Sequence, residues 1–138
     1  MYKFIYLHIT FLIPCEYKML EIIDESAFSL KIFDFSLDEK QWVNLGPKPI
    51  CVLFVADWCN YCDEIQEEIK RLAEKYKETV DFYCVDCNND KNPKLRKRLK
   101  IISVPVIIFV PLKGECQLLR GLFSENMIEF LIKDVLLK

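Results

Sequence analysis

Histidine is all but missing from this chain. His8 is the only one, near the N-terminus and outside any motif, so Ser-His and Cys-His catalysis have no base within the body of the chain. Glycine is scarce as well: with three in 138 residues, turns are few or are built from other residues. Long apolar runs are lacking too, and the N-terminal one, Tyr2 to Pro14, is too short to span a bilayer as a helix. Neither sign of charge is in excess, and a net charge of −2 argues against nucleic-acid binding by the chain as a whole. Internal repeats and low-complexity linkers are also missing, so one domain is expected.

Apolar residues and cysteine are plentiful. The 52% apolar and 29% charged content suits a folded domain with a real core. Seven cysteines, an odd number, cannot all pair within the chain. Cys51, Cys84 and Cys116 lie in apolar strand patterns and read as small buried hydrophobes. That usage fits a reducing compartment, and the expected location is cytoplasmic. A periplasmic or membrane-anchored location is the alternative if residues 1–15 act as a signal. The segment meets that pattern weakly: Lys3 is its charge, His8 interrupts the apolar run, and no small-residue cleavage site follows. Leu12-Ile13-Pro14-Cys15 resembles a lipoprotein box, with Pro14 where a small residue belongs. Residues 1–29 are therefore read as an N-terminal extension, either a short signal or an upstream start ahead of Met19, and residues 30–138 as the domain.

The chain is organised around Asp57-Trp58-Cys59-Asn60-Tyr61-Cys62. Before it lies Ile50-Cys51-Val52-Leu53-Phe54-Val55, an unbroken apolar run that reads as a strand buried on both faces. After it, Ile65, Ile69, Leu72, Ala73 and Tyr76 form one stripe of a helix. Both cysteines are thus expected in the first turn of a helix that follows a central strand. Unpaired N–H groups and the peptide dipoles there favour a thiolate, the reactive form of cysteine. Three positions apart, the two sulfurs can close a short disulfide. Cys59, the outer one, is expected to attack, and Cys62 to resolve the mixed disulfide.

The alternation in Leu30-Lys31-Ile32-Phe33-Asp34-Phe35 predicts a first strand, while Glu21 to Phe28 gives no clear reading. Ser36 is expected to cap a short helix through Val43. Val80 to Val85 reads as a strand, and Asn92 with Pro93 as the start of a helix whose inner side is Leu95, Leu99 and Ile102. Its outer side carries Lys91, Lys94, Arg96, Lys97, Arg98 and Lys100. Without interleaved aromatics to stack on bases, this reads as a solvated face rather than a nucleic-acid or acidic-partner patch. Val106 to Val110 is a buried strand headed by Pro105, and a cis bond after Val104 would explain a proline there. Pro111 to Gly114 reads as a turn and Cys116 to Leu119 as a returning strand ended by Gly121. Ser124 caps a last helix with Met127, Ile128, Leu131, Ile132 and Val135 inward. The order is β-α-β-α-β-α-β-β-α.

A second C-x-x-C, Cys84-Val85-Asp86-Cys87, makes a four-cysteine set with the first, close in spacing to some zinc modules. Residues three apart on a strand point to opposite faces, which disfavours a shared metal. Cys87, just past the strand, reads as an incidental loop cysteine, with an accessory thiol as the functional alternative.

Ala56-Asp57-Trp58-Cys59-Asn60-Tyr61-Cys62, Val85-Asp86, Val104-Pro105 and Gly121, in this order and spacing, resemble the thioredoxin family, small bacterial thioredoxins most of all. The resemblance covers roughly Ile32 to Leu137. It implies an α/β thioredoxin fold, a central mixed sheet flanked by helices. It also implies reduction of protein disulfides by dithiol-disulfide exchange, with no cofactor beyond the Cys59–Cys62 disulfide. Its partners would be protein disulfides and an upstream reductase as electron donor, with no nucleic acid, and the chain would be a monomer. Pro105 would be cis beside the cysteines, Val104 would offer its backbone to an extended substrate, Trp58 would wall the site, and Gly121 would leave room for the substrate chain. Asn60 and Tyr61 stand where thioredoxins carry Gly-Pro. Leu53 and Phe82 replace the buried aspartate and its lysine partner, so a proton leaving Cys62 must use water or another group. Asp63 replaces a basic residue and, four positions from Cys59 on a shared helix, would oppose its thiolate by roughly 0.5 kcal/mol. Cys59 is therefore expected to be only mildly acidified, which favours a reductase over an oxidase. Two readings compete with it: a non-catalytic module that binds extended segments through Trp58, Tyr61 and Val104, and a zinc-binding module that uses all four cysteines of the two C-x-x-C segments.

Overall fold

The computed structural model describes residues 20–121 and 123–138. The readings of residues 1–15 and of a start ahead of Met19 lie outside the described residues. Strand β1 (Glu21–Ile22) is followed by helix α1 (Glu25–Lys31), a 3-10 turn (Glu39–Gln41), β2 (Ile50–Val55), α2 (Cys62–Lys75), β3 (Asp81–Asp86) and α3 (Pro93–Arg98). Then come β4 (Val106–Val110), β5 (Gln117–Arg120) and α4 (Glu125–Leu131), which runs on as a π turn over Ile132–Leu136. The strands form one mixed sheet in the order β1-β3-β2-β4-β5. β1 and β2 run parallel to β3, while β4 is antiparallel to both β2 and β5. This is the α/β fold expected, in the expected order of elements.

The central strand explains the pattern of its own sequence. Cys51, Leu53 and Val55 face one apolar layer together with Ile65, Ile69 and Leu72 of α2 and Ile128 and Ile132 of the C-terminal helix. Ile50, Val52 and Phe54 face a second layer with Phe28 of α1, Ile32 and Phe33 just after it, Leu95 of α3 and Leu99 at the end of that helix. A strand covered on both faces has no polar side to alternate, so β2 is apolar throughout. At about 1.5–3 kcal/mol for each large side chain taken from water, the two layers supply the bulk of the driving force. No polar or charged side chain is buried among the described residues. Nor is any described helix long and apolar enough to cross a membrane.

The first two elements are displaced from expectation. Leu30–Phe35 is not a strand: it covers the end of α1 and the turn after it, and Ile32 and Phe33 are both fully buried though adjacent. The helix is set by Asp24, whose carboxylate accepts from the Ala27 N–H at 2.8 Å, and by burial of Phe28 and Ile32 four positions apart. The edge strand is Glu21–Ile22, so the expected boundary at residues 29/30 falls inside α1. Ser36 does not cap the next segment. It bonds Asp34 with both its N–H and its hydroxyl, and Asp38 caps a single 3-10 turn instead.

Elsewhere the differences are smaller. Asn92 is left-handed (φ 55°) and makes no cap bond to its own helix. It reaches across to α1, accepting from the Glu25 N–H at 2.9 Å, while the Glu25 carboxylate accepts from the N–H groups of Lys94 and Leu95. Each helix thus caps the other. On α4, Ile128, Ile132 and Leu136 are the buried residues, while Met127 is exposed and Leu131 and Val135 pack at the margin. Arg71 to Glu125, and Lys75 and Tyr76 to Glu129, tie α2 to α4.

Candidate active site

The cysteine pair sits where β2 hands over to α2. A turn closed by the Cys59 N–H on the Ala56 carbonyl (3.2 Å) brings Cys59 out of the sheet, and the helix begins at Cys62. Only Cys62 is therefore in the first helical turn, and Cys59 lies outside it. The i,i+4 relation expected between Cys59 and Asp63 does not hold, because it needs both residues on the helix. Asp63 belongs to the first turn and is exposed.

The two sulfurs are joined, with their Cα atoms 5.4 Å apart. They differ in exposure. Cys62 is 2% exposed and belongs to the α2 layer, whereas Cys59 is partly open and only leans on that layer. Val104–Pro105 is cis, as expected, and the Val104 carbonyl oxygen lies 3.5 Å from Cys59 Sγ. A reduced Cys59 thiol at this spot can donate to that oxygen; the edge of an extended chain can use the same backbone. Trp58 and Tyr61 flank the pair, 57% and 49% exposed, and Asn60 is exposed between the cysteines. Gly121 follows β5 with φ +92° and open space where a side chain would begin. Glycine meets that φ without strain.

The turn has a support that sequence reasoning missed. The Asn88 side chain accepts from the Asp57 N–H at 2.7 Å, just ahead of Trp58. Asp86 in turn accepts from the Asn88 N–H and pairs with Lys91. Partial burial works against the Asp86 carboxylate, but these partners outweigh it and hold its pKa below the usual value. The signal lay in Asp86-Cys87-Asn88, a local Asx pattern just past a strand end.

The four cysteines of the two C-x-x-C segments do not converge. Cys84 lies in the same apolar layer as Cys62, but Cys87 lies across the sheet with Leu95 and Ala56. Both remain thiols: burial pushes Cys84 up to about 12 and Cys87 up to about 11. The zinc reading fails on this geometry, and Cys87, 1% exposed, is not an accessory thiol at the surface. Cys51 is buried as expected, with its thiol pushed up by desolvation. Cys116 precedes β5 rather than lying in it and is partly exposed.

A family model for thioredoxin matches residues 35–134. Over 112 residues the chain is 33% identical to the thioredoxin of Borreliella burgdorferi, which covers 81% of this chain and 93% of that protein. The chain belongs to the thioredoxin family. The thioredoxin of Alicyclobacillus acidocaldarius is 29% identical over 91 residues, 66% of this chain and 85% of its own length. Among solved structures, chloroplastic thioredoxin z has a TM-score of 0.67 at 23% identity, over 83% of this chain and 92% of that one, a likeness of fold.

Within this thioredoxin-family site, the position of the family's buried aspartate is Leu53, fully buried between Cys84 of β3 and Ile107 of β4. Phe82 stands two residues before Cys84 on the same face. Both polar members of the pair are replaced together, which leaves the layer below Cys62 apolar. Among the described residues, no side chain buried in that layer can take a proton from Cys62.

Proposed function

We propose that this chain is a protein disulfide reductase working by dithiol-disulfide exchange, with Cys59 as the attacking and Cys62 as the resolving thiol. The observation that carries this reading is the unequal burial of the joined pair beside the Val104 carbonyl. A partner's sulfur can reach Cys59, and Cys62 is withheld until the first exchange is done.

The steps balance without a cofactor. The Cys59 thiolate attacks one sulfur of the substrate disulfide, forming a mixed disulfide and releasing one substrate thiolate, which takes up a proton. Cys62 then attacks the Cys59 sulfur, the second substrate thiolate leaves, and the Cys59–Cys62 disulfide forms. Two electrons and two protons have passed to the substrate, and an upstream dithiol reductase restores the pair. With Leu53 and Phe82 beneath it, Cys62 gives its proton to water or to the departing substrate thiolate on the open side. Val104 supplies backbone to an extended substrate, Pro105 packs beside the pair, Trp58, Asn60 and Tyr61 frame it, and Gly121 leaves the substrate chain room.

The four thiols at Cys51, Cys84, Cys87 and Cys116, three of them buried, support a reducing compartment, and the cytoplasm is the proposed location. The experiment is trapping. A Cys62→Ser variant should hold its substrate as a mixed disulfide through Cys59, and sequencing the trapped protein names the pathway. Trapping by Cys59→Ser instead would reverse the two roles.

A further inference from the structure

Five of the six cations on and around α3 divide into two groups. Lys91 pairs with Asp86 at 2.9 Å. Arg96 donates to the carbonyls of Asn89 and Lys91, and Arg98 to those of Phe35 and Leu37. Lys97 and Lys100 are exposed and pair with no carboxylate among the described residues. Both line a groove of about 440 Å³ that they share with Arg96, Pro93 and Ile102, with Asp90 as the acid on its wall.

The groove ends at Ile102, two residues along the chain from the Val104 carbonyl at the cysteine site. Lys100 is left-handed (φ 56°), and this turns the chain so that Ile101 enters the core and Ile102 stays outside, 88% exposed. Two residues later comes Val104, whose carbonyl faces Cys59 Sγ. Two residues span at most about 7 Å. A polypeptide that leaves Cys59 on this side meets Ile102 and the two lysines within a few residues of its own cysteine.

We propose that this groove docks an acidic segment of the disulfide-bearing partner. Its Asp or Glu side chains meet Lys97 and Lys100, and an apolar neighbour covers Ile102. The partner comes from the reductase reading; the groove's charge and its exposed isoleucine come from the fold. Exposed charges of this kind set partner choice and encounter rate, and they weaken with salt. Among the described residues no aromatic side chain lines the groove to stack on a base, which favours a protein segment over a nucleic acid.

Two disulfide-bonded peptides test this, one with glutamates beside a cysteine and its twin with glutamines, each titrated into the ¹⁵N-labelled chain. The glutamate peptide should move the backbone amide signals of Lys97, Lys100 and Ile102. It should also have a KM lower by about fivefold at low salt. Both differences should vanish in K97Q/K100Q, and in wild type at about 0.5 M salt. Unmoved amides, or a peptide preference that survives K97Q/K100Q, would overturn the proposal. So would an oligothymidine that moved these amides at lower concentration than the peptide. Failure to turn over either peptide would count against the reductase reading alone, since the amide shifts still decide the groove.

Discussion

Cys59-x-x-Cys62 and Cys84-x-x-Cys87 share a spacing but lie on different backbone. The first spans a turn between strand and helix, where three positions bring the sulfurs onto one side, and they are joined. The second spans the end of a strand, where three positions put the sulfurs on opposite faces of the sheet, and they stay apart as buried thiols. Chemistry follows the backbone beneath the motif. One pair has an outer sulfur at a carbonyl edge; the other has two sulfurs whose ionisation burial opposes.

The largest effect expected from breaking this comparison is on turnover. Cys59→Ser should reduce insulin-type disulfide reduction to the uncatalysed rate, while Cys84→Ala with Cys87→Ala should keep it within about twofold, as expected for side chains that only pack. Comparable losses in both variants, assayed side by side, would show that the second pair takes part.

Next comes the layer that Cys62 shares with Cys84. Leu53→Asp places a carboxylate between Cys84 and Ile107 and should cost about 3–5 kcal/mol at pH 7 by urea unfolding, because no partner is within the layer. The loss should shrink on acidification, as the buried carboxyl becomes neutral. In molecules that remain folded, resolution of the mixed disulfide should speed up, since Cys62 would then have a proton acceptor. An unchanged resolution rate would show that the proton already leaves efficiently on the open side.

Alkaline pH gives a finer contrast. The folded-state pKa of Cys84 is pushed up to about 12 and that of Cys87 up to about 11, above the value of an unfolded thiol. For a raised pKa the stability contribution is whole below the unfolded value of about 8.5 and falls as pH climbs through the window toward 11–12. Each such thiol should therefore cost about 1.4 kcal/mol per pH unit within that window. The Cys84→Ala, Cys87→Ala variant should lose correspondingly less stability between pH 8 and pH 10, and parallel unfolding curves for the two proteins would contradict this.

The smallest effect is at Gly121. With φ +92° but open space around it, Gly121→Ala should cost about 1 kcal/mol of backbone strain. It should slow reduction of a protein disulfide several-fold and leave a small-molecule disulfide unaffected. Equal slowing of both would remove Gly121 from the substrate path.

How much of this was legible in the sequence depended on how local the cause was. β2 read directly because an unbroken apolar run admits few other structures, and the inner face of α2 because its stripe is long. The start of α2 did not: the turn closed by Ala56 and Cys59 holds Cys59 outside the helix, a hydrogen bond that spacing does not announce. Leu30–Phe35 alternates by chance, and the covering of both Ile32 and Phe33 settles it as helix end and turn. Ile102 was read as inward because a continued α3 would turn it so; the left-handed Lys100 reverses the chain and exchanges it with Ile101. Among the site residues, Trp58, Cys59, Cys62, Val104 and Pro105 come together as the motifs indicated. Asn88, which holds the turn from the end of the neighbouring strand β3, was visible only as an Asx pattern.

The most direct test of the central claim is a single-turnover transfer. The fully reduced chain is mixed with one equivalent of a disulfide-bonded peptide, and every remaining thiol is alkylated and mapped by mass. The account predicts that two thiols appear on the peptide while two disappear from the protein, at Cys59 and Cys62, with Cys84 and Cys87 still reduced. A peptide that stays oxidised, or a loss that maps to Cys84 or Cys87, would contradict it.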